Sequence, residues 1–194
     1  MIAAQLPVYQ CVRTTEVLHI DGRLSEKTWQ MVAPVRLGDS TDGRKVRPAT
    51  TVRACWSDTH LYIAFECEDD DIWGTMRRRD DPLYDEEVVE VFLCPTRVLS
   101  RYFEIEISPH NVVFDAAIHN PDLDRQTMTT NRNWDCADLL TAVCAEAPVH
   151  DDAPANRASQ GPGGTWTVEI AIPFSSLPPG TPPEPGSEWC VNFY

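Results

Sequence analysis

Residues 80–95 read DDPLYDEEVVEVFLCP. The first half is acidic and turn-rich and carries one aromatic, Tyr84, while the second half alternates as a strand. Val89, Val91 and Leu93 share one face, and Val88, Glu90, Phe92 and Cys94 share the other. Glu90 in the middle of this apolar run is the anomaly. A carboxylate there costs free energy unless it is paired, hydrogen-bonded or partly solvated.

The same period of two recurs on both sides of this stretch. Residues 51–56 (TVRACW) and 60–68 (HLYIAFECE), joined by Ser57-Asp58-Thr59, predict a strand pair with Leu61, Ile63, Phe65 and Cys67 inward. Residues 101–108 (RYFEIEIS) put Phe103, Ile105 and Ile107 on one face. Further strands are expected at 16–20 (EVLHI), 112–119 (VVFDAAIH), 139–147, 165–173 (TWTVEIAIP) and 188–194. Ser25 is placed to cap a brief helix through Glu26, Thr28, Trp29 and Met31, ended by Pro34, with Trp29 as a core anchor. Polar, turn-forming loops fill 38–48, 121–133 and 148–164, and Phe174 to Leu177 forms one helical turn. Short strands at regular spacing, 16 prolines in loops and no long amphipathic helix define an all-β fold, an antiparallel β-sandwich with one short N-terminal helical turn. The 194 residues show no internal repeat and read as a single domain, 1–194.

A net charge of -14 argues against nucleic acid or an anionic membrane as partner, because like charges repel. No run of about 18 apolar residues is present. The first residues lack both a basic and a continuous apolar region of the secretory kind, so the expected location is cytoplasmic. Seven cysteines without C-x-x-C spacing, most within strand-like runs, read as reduced thiols used as small hydrophobes. Asp69, Asp70 and Asp71 offer hard oxygen ligands of the type Ca²⁺ selects. The competing reading is a solvated loop, with Arg77, Arg78 and Arg79 as counter-charges.

Residues 96–100 are short enough to make the strands around Glu90 and Glu104 antiparallel neighbours. Matching their apolar faces forces Glu90 opposite Glu104 or Glu106. If the next hairpin aligns Phe114, Ala116 and Ile118 with the same core, Asp115 joins them. Like charges directly opposite destabilise a sheet, so an arginine (Arg53, Arg77 or Arg101), a bound cation or ligand hydroxyls must offset them. Carboxylates beside an aromatic that can cover an apolar sugar face are the chemistry of carbohydrate recognition. Tyr84, Trp73 and Trp134 are the loop aromatics available for it.

The segments IDGRLSEKTWQ, TVRACWSDTHLYIAFECEDDDI, DDPLYDEEVVEVFLCP, RYFEIEISPHNVVFDA and GGTWTVEIAIPFSSL resemble, in order and spacing, carbohydrate-binding module family 9. The resemblance runs from Ile20 to Tyr194 and implies a β-sandwich of the type shared with dopamine-monooxygenase N-terminal-like domains. It also implies a non-catalytic partner of mono- or oligosaccharides, structural Ca²⁺, and association with larger enzymes of carbohydrate catabolism. Tyr84 then stands where the family has a stacking tryptophan, Glu90 matches its sugar-binding Glu, and Glu87 replaces an Asp. Glu104 falls where the family has an arginine, which reverses the charge, and the family's second tryptophan and closing strand lie beyond Tyr194. The site set is therefore Tyr84, Glu87, Glu90, Glu104, Glu106, Asp115 and Trp134. Two alternatives stand beside it. One is a glycoside hydrolase using two of the carboxylates. The other is haem binding through Met76, Met128, His110 or His119.

Overall fold

The computed structural model describes residues 6–153 and 163–194. The strands are β1 (Val12–Arg13), β2 (Val35–Arg36), β3 (Thr50–Trp56), β4 (His60–Asp69), β5 (Val89–Cys94), β6 (Arg101–Ile107), β7 (Val113–His119), β8 (Thr129–Asn131), β9 (Leu140–Ala145), β10 (Gly164–Pro173) and β11 (Cys190–Phe193). One short helix, α1 (Lys27–Met31), and 3₁₀ turns at Leu83–Asp85 and Phe174–Ser176 complete the described elements. The first sheet runs β1-β3-β4-β10-β9, with β2 also on β3. The second runs β11-β5-β6-β7-β8. Apart from the parallel β1–β3 pair, the strand pairing is antiparallel, so the all-β sandwich read from the alternation is the fold.

The core lies between the sheets, where the inward sets of the sequence meet. Ile63 and Phe65 of β4 and Val168 and Ile170 of β10 face Val91 of β5 and Ile105 and Ile107 of β6, all fully buried. Each such side chain contributes about 1.5–3 kcal/mol on burial. The central part of the expected 148–164 loop, 154–162, lies outside the described residues.

Residues from the N-terminal region cover part of the outer face of the first sheet, leaving Glu66 and Glu68 exposed. Trp29 packs with Leu18, Val32, Cys55 and Ala64, and its indole N–H donates to Glu169 Oε1 at 2.8 Å. Glu169 also accepts the backbone N–H groups of Asp21 at 2.9 Å and Gly22 at 2.8 Å. Burial pushes the Glu169 carboxyl above its ordinary pKa, while these donors pull the other way.

Several expectations change. Residues 16–20 form no strand. Glu16 instead turns inward to accept the Thr28 N–H at 2.8 Å and the Thr28 hydroxyl at 2.6 Å, and the strand at this edge is β1, earlier in the chain. Glu16 thereby does for α1 what the sequence assigns to Ser25. The triple arginine does not neutralise Asp69 to Asp71: Arg77 pairs with Asp151, Arg78 with Asp81, and Arg79 with Asp115 and Asp135.

The largest correction is the parity of β7. Ile107 pairs with Val113 and Ile105 with Asp115, so Val113, Asp115 and Ala117 face the inter-sheet core. Phe114, Ala116 and Ile118 face outward and stay buried beneath Leu83, with Met76 and Met128 against them. Apart from Asp115, residues 112–118 are apolar at both parities, and both faces of β7 are covered, so alternation alone does not choose between them. Asp115 therefore does not join Glu104 and Glu106. It is fully buried, accepts the Cys136 N–H at 2.8 Å and pairs with Arg79 at 2.6 Å.

Candidate functional site

The outer face of the second sheet carries the remaining carboxylates. Glu90 of β5 lies directly opposite Glu106 of β6, and Glu106 opposite Phe114 of β7. On the other side, Glu90 and Tyr194 exchange backbone hydrogen bonds of 2.9 and 3.1 Å. One cross-strand row thus reads Tyr194, Glu90, Glu106, Phe114. The row beside it reads Asn192, Phe92, Glu104, Ala116.

Exposed aromatics stand at both ends of the first row. Tyr84, in the Leu83–Asp85 turn, is 44% exposed and meets Phe114 edge-on at 5.7 Å. Its hydroxyl accepts from Arg132 Nη2 at 2.7 Å, and the guanidinium lies 5.8 Å from its ring centre. The buried Leu83 anchors the turn, so the neighbouring Tyr84 is held out over the sheet. Tyr194, 49% exposed, meets Phe92 edge-on at 5.5 Å, and Phe92 in turn meets Tyr102 at 6.0 Å.

Burial raises the pKa of all three carboxyls. It acts alone on Glu90, while on Glu104 the nearby Glu90 adds to it, and a hydrogen bond with the Glu106 carboxyl and then the charge of Arg132 oppose it. Glu106 is pushed up to about 9, first by burial and then by Glu90 and Glu104, with the Tyr84 backbone pulling more weakly the other way. It is fully buried, and neither of its oxygens meets a donor in hydrogen-bond geometry among the described residues. The expected arginines do not serve this set: Arg53 pairs with Glu66 at 3.9 Å and Arg77 with Asp151. Among the described residues no salt bridge reaches Glu90, Glu104 or Glu106.

Stability acquires a pH dependence from this burial. A carboxyl with a folded pKa near 9 and an ordinary value of 4.5 favours the folded state fully below 4.5, and that contribution is lost as pH rises through 9. Glu106→Gln removes the titration. Its stability is expected to exceed wild type by a margin that widens from pH 5 to pH 9, reaching about 1–3 kcal/mol. Thermal melts across that range check it.

Glu87 and Trp134 are placed elsewhere. Glu87 accepts the Trp73 N–H at 2.8 Å and lines an open cleft of about 260 Å³ at the end of the sandwich, with Asp69, Trp166 and Tyr194. Its pKa rises to about 8, through burial and the nearby Asp69 and Asp71. Trp134 meets Phe103 at a tilt, 4.5 Å between ring centres, and packs against the inter-sheet core, away from the carboxylate rows.

Asp69 to Asp71 do not converge as a cation cage. Asp69 accepts the Asp71 N–H at 2.9 Å and the Trp166 indole N–H at 3.2 Å, Asp70 is exposed, and Asp71 lies 3.8 Å from His150 Nε2. Among the described residues no group of three or more His, Cys, Asp or Glu is arranged to hold a metal. Two of the residues that could ligate haem are held in local contacts. Met128 Sδ accepts from the Tyr102 hydroxyl at 3.4 Å, and His110 Nε2 lies 3.0 Å from the Gly74 carbonyl oxygen.

Arg132 and Tyr194 are site residues that the local sequence does not mark. Arg132 sits in a polar loop like any other charge, and Tyr194 reaches the face only through the non-local β11–β5 pairing. Phe92 is visible in the chain, because it alternates with Glu90.

The fold is a β-sandwich with one outer face partly covered by the N-terminal region and the other bearing acids between exposed tyrosines. The chain belongs to the carbohydrate family 9 binding domain-like family, whose model matches residues 20–192. It is similar to an extracellular protein of Arthroderma benhamiae, with 27% identity over 165 residues, covering 84% of this chain and 69% of that one. Among solved structures, a Bacteroides uniformis protein proposed to bind carbohydrate shares the fold at a TM-score of 0.68 and 11% identity, covering 95% of this chain and 81% of that one. A family 9 module from Caldicellulosiruptor kristjanssonii, solved with glucose, gives 0.55 at 16% identity, covering 94% of this chain and 75% of that one. The same kind of module solved with cellotriose also gives 0.55 at 16%, covering 94% and 73%.

Proposed function

We propose that the outer face of the second sheet binds a mono- or oligosaccharide without cleaving it, in the service of carbohydrate breakdown. The observation that carries this is the row running from Tyr194 through Glu90 and Glu106 to Phe114, with Tyr84 over its far end. Carboxyls offer acceptors to sugar hydroxyls, and exposed rings cover the apolar C–H faces of a pyranose. Structural neighbours solved with glucose and cellotriose support the ligand class.

Binding is favoured over hydrolysis because a glycosidase needs two carboxyls flanking the scissile bond. Here Glu90, Glu104 and Glu106 stand side by side on one sheet face. The test is titration calorimetry of the intact protein against a broad panel of mono- and oligosaccharides, repeated with Tyr84→Ala. Loss of the ring is expected to weaken binding about tenfold, the value of one well-placed aromatic contact. No binding to any sugar overturns the reading, and unchanged affinity in Tyr84→Ala removes Tyr84 from the site.

A further inference from the structure

Two glutamates are fully buried among the described residues, and they are treated in opposite ways. Glu169 is met by three donors, from Asp21, Gly22 and Trp29, all within 2.9 Å. Glu106 has no such set: neither oxygen meets a well-aligned donor among the described residues, and the side chain that reaches it is another acid, Glu104. The first is a structural carboxylate. The second is costly on its own terms, because a buried acceptor has given up its water without gaining a matched donor.

Its surroundings add to that cost. Glu90 stands directly across from Glu106 and Glu104 lies two residues along the same face, so the neighbours are acids too. The cation on this side, Arg132, is held to the Tyr84 hydroxyl and over the Phe114 ring, at 2.7 and 5.5 Å. A set of acids facing a ligand surface, with a fully buried and unpartnered member at its floor, is short of positive charge and of donors. An ammonium supplies both, with three N–H groups in one compact cation. The tyrosines flanking the row call for a ring-shaped ligand, which a linear polyamine or a bare metal ion does not provide. The net charge of -14 draws cations toward the whole molecule.

Resting on the proposed sugar-binding reading, we infer that the ligand of this face is a cationic amino sugar, a hexosamine or oligomer of one with its amine unacetylated. The sugar ring lies between Tyr84 and Tyr194, and the ammonium sits against Glu90 and Glu104 above Glu106.

The experiment is titration calorimetry with three oligomers of equal length: glucosamine, N-acetylglucosamine and glucose. The glucosamine oligomer is expected to bind at least tenfold more tightly than the other two. Its affinity is expected to fall as sodium chloride is raised, as for any contact between a ligand cation and acids that solvent reaches. Glu104→Gln is expected to bring the ratio of glucosamine to glucose affinities close to one. If that variant fails to fold, the salt series on the wild-type protein carries the test by itself. Glucose or N-acetylglucosamine oligomers binding as tightly as glucosamine, or a glucosamine affinity indifferent to salt, overturns the amino-sugar inference and leaves sugar binding standing. Binding of none of the three, together with none in the broad panel, overturns the sugar-binding reading itself.

Discussion

Glu169→Ala is expected to lower stability by about 3–6 kcal/mol, the sum expected when several charge-assisted hydrogen bonds are lost and their donors left buried. At about 2–4 °C per kcal/mol for a chain of this size, that is a fall in melting temperature of roughly 10–20 °C. The residue holds the Asp21-Gly22 turn and Trp29 onto the outer face of the first sheet through three hydrogen bonds. Removing the carboxyl orphans two backbone N–H groups and an indole N–H at once. Glu169→Gln keeps one acceptor oxygen and is expected to fall between alanine and wild type. Denaturant melts of the three proteins check the order. An alanine variant within about 1 kcal/mol of wild type, the worth of a single ordinary hydrogen bond, would show that the N-terminal cover is held by apolar packing alone.

Glu90→Ala is expected to weaken sugar binding by about 10–100-fold, the range for losing a hydrogen bond to a charged acceptor worth about 1.5–3 kcal/mol. The expectation rests on its place in the row: half-buried, between the exposed Tyr194 and the buried Glu106. Stability should change little or rise, because burial already raises the Glu90 carboxyl above its ordinary pKa and no ion pair is broken. Calorimetric titration and thermal melting of the same preparation separate the two effects. Full affinity in a folded Glu90→Ala protein would move the ligand off this row.

The parts of this molecule that can be read from the chain are those in which one parity is plainly apolar. In β5 and β6, Val89, Val91, Ile105 and Ile107 admit a single parity, and that parity alone sets Glu90 opposite a glutamate, Glu106 in the structure. In β7 the residues Val113, Ala117, Phe114 and Ile118 are apolar on both faces, and the choice is made by Leu83 and the methionines packing from outside. That long-range packing sends Asp115 inward to Arg79. Residues 16–20 alternate well enough to look like a strand, yet Glu16 is worth more as the acceptor for Thr28. Trp134 closes a polar loop and so reads as an aromatic open to a ligand, but its tilted contact with Phe103 lays it half-buried against the core. The ends of the site row, Tyr194 and the arginine that props Tyr84, depend on contacts between distant segments and leave no local pattern to find.

The unequal treatment of the two outer faces has a practical side. The chain contains two lysines, Lys27 and Lys45. Lys27 lies in α1, part of the cover on the first sheet, and Lys45 bridges Gly38 in the loop that follows β2 on that sheet's edge. Attachment to a bead, chip or dye through the lysine side chains therefore holds this protein by the first sheet. The tyrosine-flanked face is left turned toward the solution, oriented for capture without any engineered tag.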